Sequence, residues 1–257
     1  TFGHRNTRIA RGMTPTGPKG VKAVLFDKDG TLVDFNGTWH ALYEKLAMEV
    51  TNGDEARSAK LLEIGGYDQT TGRFIAGSEL AAGTTPGIVR LWLPDADAGT
   101  FNRWSTRLDR AFVEEGPLAA VPVAGLDKTV EALEGAGIAM AVVTNDLEQA
   151  AHNTMVRFGL REKFMAVLGY DSVPDPKPQA GPVLKFCRDH GFEPAEVLVI
   201  GDNGHDIEMA RNAKAGYAIG VLSGTGNEAD FGAHGADAVL NSIADLPGWL
   251  GINQPGN

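Results

Sequence analysis

Apolar residues along this chain gather in short runs, and acids, hydroxyls and amides collect where the runs end. Six of these runs read as strands: "VKAVLFD" (21–27), "IAMAVVTND" (138–146), "MAVLGYD" (165–171), "EVLVIGDN" (196–203), "YAIGVLS" (217–223) and "ADAVLN" (236–241). Several lack polar alternation, as strands do when both faces of a parallel sheet are covered. Between them lie amphipathic stretches such as "LDKTVEALEGAGI", "LEQAAHNTMVRFGL" and "PVLKFCRDHGF". Gly137, Gly159 and Gly191 close these helices, where a residue with positive φ is needed. Strand alternating with helix predicts an α/β fold, a doubly wound parallel sheet.

One stretch breaks that rhythm. From Asn36 to Ala120 there is no convincing strand, only helical patterns such as "GTWHALYEKLAMEV", "DEARSAKLLEIG", "TPGIVRLWL" and "TFNRWSTRLDRAFVEEG". The pattern predicts an inserted all-helical domain over 36–120, folded across the carboxyl ends of the strands. The core domain is then 21–35 together with 121–257, and "PLAAVPVAG" (117–125) is the return hinge. Trp92, Trp104, Phe101 and Phe112 read as the insertion's own core rather than a stacking platform. Residues 1–20, polar and rich in Gly and Pro, read as a flexible N-terminal tail without the apolar run of a secretory signal.

Composition narrows the function classes. The chain has 257 residues, enough for one large domain or a core with a smaller one inserted. A net charge of −10 argues against the nucleic-acid backbone as partner, since that surface rewards clustered Lys and Arg. No run of apolar residues is long enough to span a membrane. The single cysteine, Cys187, forms no internal disulfide and reads as a buried structural thiol. The expectation is a cytoplasmic protein.

The polar signals fall at the carboxyl ends of the expected strands, where open α/β sheets bind ligands. Asp27 and Asp29 end the first strand; Thr144, Asn145 and Asp146 end the second. Asp202 and Asp206 follow the "VLVIG" strand, and Lys177 lies in the Pro-locked loop "VPDPKPQAG". In an extended segment residues i and i+2 project to one side, so Asp27 and Asp29 face a common space. Two close carboxylates repel unless a cation or a shared proton intervenes. Hard oxygens from Asp27, Asp202 and the Asp29 backbone carbonyl suit Mg²⁺. Gly30 lets the chain turn tightly beside a bound phosphate.

With "DKDGT" (27–31), "VVTN" (142–145), "DPKP" (175–178) and "GDNGHD" (201–206) in this order, the chain resembles the haloacid-dehalogenase superfamily in its phosphatase branch. The likeness covers 21–248, and the position of the insertion is similar to that of the phosphoglycolate-phosphatase-like group. The resemblance implies a Rossmann-like core with a mobile cap, and a Mg²⁺-dependent phosphomonoesterase working through an aspartyl-phosphate. It implies Asp27 as nucleophile, Asp29 as the acid and base that serves both half-reactions, and Lys177 as countercharge that holds Asp27 ready. Gly30, Thr144, Asn145 and Lys177 would bind phosphate, Asp27, Asp29 and Asp202 the metal, and Asp206 would orient Lys177 or act through a water. The substrate would be a small phosphorylated metabolite, phosphoglycolate-like in the first instance.

Other readings compete. "DKDG" fails as an EF-hand, because Gly30 is fourth and position twelve is Thr38. A dehalogenase lacks the second acid, which Asp29 supplies here. A sugar-phosphate mutase of the same fold keeps Asp29 and stays open, as does a receiver-type signalling phosphoacceptor. Arg73, in "TTGRFIAGSE", is the insertion residue most suspected of touching a charged leaving group, although a solvated arginine is the favoured reading. His205 reads as a solvent-facing or helix-starting residue, and His40 and Trp39, next to the first strand, either face substrate or pack in the core or hinge.

Overall fold

The computed structural model describes residues 18–252, so residues 1–17 of the expected tail lie outside the described residues, as do 253–257. The described residues contain eight strands: β1 (Ala23–Phe26), β2 (Tyr67–Asp68), β3 (Arg73–Phe74), β4 (Ala139–Val143), β5 (Ala166–Leu168), β6 (Val197–Gly201), β7 (Tyr217–Val221) and β8 (Ala238–Leu240). Six of them form one sheet in the order β5-β4-β1-β6-β7-β8, and every pairing in it is parallel. All six runs read as strands are therefore strands.

The missing polar alternation has its cause in the two faces. On β1, Val24 and Phe26 point into one apolar cluster, while Ala23 and Leu25 point into another. The register carries this division across the sheet: Val24 lies beside Met140 and Leu198, and Leu25 beside Ala141 and Val199. The first face is covered by α7 (Leu126–Gly135), α8 (Glu148–Arg157) and α12 (Leu246–Trp249), the second by α9 (Gly181–His190), α10 (Gly204–Asn212) and α11 (Glu228–Ala233). Cys187 packs into the second cluster, where burial pushes its thiol up to about 11.

Between β1 and β4 the chain builds α1 (Phe35–Val50), α2 (Glu55–Ile64), α3 (Glu79–Ala82), α4 (Thr85–Trp92), α5 (Ala98–Glu114) and α6 (Gly116–Ala119). Asp34, Asp54 and Asp97 start the three long helices by accepting the N–H of Gly37, Arg57 and Thr100. These elements share a separate core that includes Trp39, Tyr43, Phe74, Trp92, Leu108 and Phe112, with Phe101 and Trp104 packed against it. The expected absence of strands here is corrected: β2 and β3 pair antiparallel, Tyr67 with Phe74 and Asp68 with Arg73. A two-residue strand is too short to show a period in sequence. The outgoing and returning chains run side by side, with Asp34 N–H donating to the Val121 carbonyl and Val123 N–H to the Leu32 carbonyl.

Candidate active site

The sheet order places β1 at its centre, with the chain running outward through β4 and β5 before crossing back to β6. Strand order reverses at β1, and the carboxyl ends there open a crevice. Asp27 follows β1 directly, Thr144 follows β4, and Asp202 follows β6. The strands thus deliver three distant pieces of sequence to one point. All three side chains are buried, as are Lys177 and Asp206.

Lys177 joins two of the acids. Its Nζ donates to Asp27 Oδ1 at 2.6 Å and to Asp206 Oδ1 at 2.8 Å. Asp206 Oδ2 in turn accepts the Asn203 N–H at 3.1 Å, in the first turn of α10. Asp202 Oδ2 accepts the N–H and hydroxyl of Thr225 at 2.7 and 3.0 Å. Burial is the main force raising the Asp27 carboxyl well above the usual carboxylate range; Lys177 opposes it, and Asp206, Asp202 and Asp29 add to it. Burial, with Asp206 beside it, pushes Asp202 up to about 7. For Lys177 burial disfavours the charge, yet Asp206 and Asp27 outweigh it and keep the ammonium above its ordinary range.

Carboxylate oxygens of Asp27, Asp202 and Asp206 lie within 4.8 Å of one another, against the single ammonium of Lys177. That surplus of buried negative charge, on hard oxygen donors, fits a divalent cation. Both oxygens of Asp206 are already engaged. Asp27 Oδ2 and Asp202 Oδ1 accept no hydrogen bond among the described residues, so these two acids have an oxygen to offer. The Asp29 carboxylate is not part of this group and instead contacts Lys28 and Trp39.

The other expected residues divide. Thr144 lines the cavity, its Oγ1 accepting the Asp146 N–H at 3.0 Å. Asn145 also lines it, but its side-chain amide is spent on the Ala82 carbonyl at 2.9 Å and the Lys177 carbonyl at 3.3 Å, a latch between insertion and core. Gly30 does make the tight turn, at φ +78°, with its own N–H donating to the Val33 carbonyl and its carbonyl accepting the Ser223 hydroxyl. That N–H is therefore not free for phosphate. Arg73 is exposed on β3 and is not among the residues lining the cavity. His205 is in the first turn of α10 and lines the cavity, with Nδ1 buried and unpartnered among the described residues. His40 instead packs at a tilt against Tyr67, at 4.5 Å between ring centroids.

A Cβ at Gly30 would run into the Asp202 carboxylate and the Gly224 backbone, besides being strained at that φ. Gly30→Ala is expected to lower thermal stability by on the order of 1–3 kcal/mol and to reduce turnover at least about tenfold, read by calorimetry and phosphate release.

Lys28 has no role among the sequence motifs, yet it is buried in the site. Its side chain is 2% exposed, and Nζ contacts Asp146 Oδ2 at 2.6 Å and Asp29 Oδ2 at 3.1 Å. Burial alone would discharge it, but Asp146 and Asp29 hold the ammonium above its usual range. A lysine directly between two acids at the end of a buried strand was a signal in itself, since such a charge needs partners. Trp39, for which the sequence leaves packing and substrate contact both open, donates its indole N–H to Asp29 Oδ1 at 2.5 Å. Phe35, Tyr43, Leu80, Ile88 and Phe112 complete an apolar wall opposite the acids.

A family model described as haloacid dehalogenase-like hydrolase matches residues 21–214. The chain is 32% identical over 240 residues to a phosphoglycolate phosphatase of Rhodospirillum rubrum, covering 91% of this chain and 93% of that protein. It is 30% identical over 231 residues to an N-acetylmuramic acid 6-phosphate phosphatase of Pseudomonas aeruginosa, covering 88% and 93%. Among solved structures, a predicted phosphoglycolate phosphatase from Haemophilus somnus superposes with a TM-score of 0.70 at 23% identity, over 90% of this chain and 98% of that one, which speaks to the fold. The chain belongs to the haloacid dehalogenase-like hydrolase family.

Proposed function

We propose that this protein is a phosphatase that hydrolyses small phosphomonoesters through an aspartyl-phosphate on Asp27, with Mg²⁺ as its divalent cation. The observation that carries this is the Asp27 carboxylate, buried at the strand-order reversal, held by Lys177 and facing Asp202. Asp27 and Asp202 would hold Mg²⁺, which when bound offsets the charge that otherwise repels a phosphate dianion.

The chain's own residues supply the rest. One oxygen of the Asp27 carboxylate attacks phosphorus, and Lys177, donating to Oδ1, holds the carboxylate in place for that attack. As that bond forms, the bond from phosphorus to the leaving oxygen breaks, and Asp29 gives that oxygen a proton. Asp29 then takes a proton from water, whose oxygen attacks phosphorus. The bond to Asp27 breaks, inorganic phosphate leaves, and both acids return to their starting states. Thr144, with its hydroxyl, and Asn145, through its backbone N–H, would steady the phosphoryl oxygens while Lys177 offsets their charge.

For the substrate, the names of the relatives support phosphoglycolate as first candidate, with glycolate as the leaving group. The segment 36–120 acts in this reading as a cap domain on the core of 21–35 and 121–257, closing water out of the crevice. Among the described residues no helix is long and apolar enough to cross a membrane. The net charge of −10 and the lone cysteine support a cytoplasmic enzyme that does not bind nucleic acid.

The test is phosphate release across a panel of phosphorylated metabolites with Mg²⁺ present. Steady multiple-turnover release is expected, highest for small substrates. Stable phosphorylation without turnover would make the protein a phosphoacceptor, and isomerisation of a hexose phosphate primed by a bisphosphate would make it a mutase.

A further inference from the structure

Asp29 is held at both carboxylate oxygens by residues outside the acids, hydroxyls and lysine already assigned. Trp39 Nε1 donates to Oδ1 at 2.5 Å, and Lys28 Nζ stands 3.1 Å from Oδ2. Lys28 is itself anchored. Its Nζ donates to Asp146 Oδ2 at 2.6 Å and sits 4.9 Å from the centroid of the Trp39 ring, while Asp146 Oδ1 accepts the Leu147 N–H at 2.8 Å. The four side chains form one closed group beside Asp27, drawn from β1's end, β4's end and α1.

We propose that Lys28, braced by Asp146, and Trp39 are positioning residues for Asp29, fixing the carboxyl that moves the proton in both half-reactions. The proposal rests on the phosphatase reading above. A carboxyl free to turn about two torsions would address the leaving oxygen, and later the water, only part of the time; two donors from rigid elements select one rotamer. Because Trp39 belongs to α1, this alignment exists only with the insertion seated on the core. Lys28 and Asp146 could instead serve only to pin one loop to another, and the two roles separate in kinetics.

The variants are Trp39→Phe, which keeps an aromatic ring and removes the N–H, and the double variant Lys28→Met with Asp146→Asn, which replaces the buried ion pair by neutral side chains of similar size. The probe is 4-nitrophenyl phosphate, whose leaving group needs little help from an acid. With either variant the first half-reaction should stay fast and water activation should slow. A burst of about one nitrophenolate per enzyme is then expected, followed by a steady rate lower than wild type by about tenfold or more. Phosphoglycolate, an alkyl phosphate, should lose rate in the first half-reaction as well and show no burst. In an Asp29→Asn background, Trp39→Phe should slow phosphoenzyme formation no further, because its effect runs through Asp29.

An unchanged steady rate, or burst and rate falling together, would overturn the positioning role, as would a further loss in the Asp29→Asn background. If the wild-type protein releases no phosphate from any substrate, the phosphatase reading falls and takes this inference with it. Wild-type turnover with an unaltered Trp39→Phe variant removes the inference alone.

Discussion

Asp27→Asn is expected to lower kcat by about 10³-fold or more while leaving the protein as stable as wild type, or more so. The amide has the shape of the carboxylate but no anionic oxygen to attack phosphorus, so no covalent phosphoenzyme should form. Stability should not suffer, because the native carboxylate is costly where it stands. Burial and the neighbouring acids Asp206, Asp202 and Asp29 raise its pKa, and Lys177 only partly offsets them. An amide removes that cost and can still accept from Lys177, which also keeps Asp206 as partner. Phosphate release, labelling with radioactive substrate and a thermal melt measure the three parts. Retention of more than a trace of turnover would exclude Asp27 as nucleophile, whereas a collapsed melt would show that Lys177 depends on its charge.

The same physics explains what could be read from the sequence. The strands were visible because β1, β4 and β6 are covered on both faces and so carry unbroken apolar runs. Their acids were visible because charge at the end of such a run demands a reason. The pair β2–β3 was not, since two residues per strand leave no period. The contacts of Lys28 and Trp39 were not legible for another cause: they depend on which side chains the turn at Gly30 and the start of α1 bring together, and that is three-dimensional. Asn145 shows the same limit. Its position at the end of β4 was legible, but its side chain closes on Ala82, 63 residues away in sequence. Arg73 lies exposed on β3, outside the cavity lining, in keeping with the solvated arginine that its polar surroundings in sequence favour over a substrate contact.

Removal of divalent metal is expected to abolish turnover, by about 10³-fold or more, and to change how stability depends on pH. In the metal-free protein Asp202 is pushed up to about 7, from the ordinary 3.8 that an unfolded chain would restore. Between those values the native state keeps a proton that the unfolded state has lost. Stability contributed by this group therefore falls as pH rises from about 4 to about 7, by on the order of a few kcal/mol. Asp27 is shifted in the same direction and adds to the trend. A divalent cation binds the ionised carboxylates and reverses their preference. The rise in melting temperature on adding Mg²⁺ to chelator-treated protein should accordingly be larger at about pH 8 than at about pH 5.5. Comparing melts with and without Mg²⁺ at each pH cancels the titration of surface groups, which the metal does not touch. Asp202→Asn should flatten the difference between the two pH values. A Mg²⁺ effect that is the same at both, or larger in acid, would mean that Asp27 and Asp202 do not hold the ion.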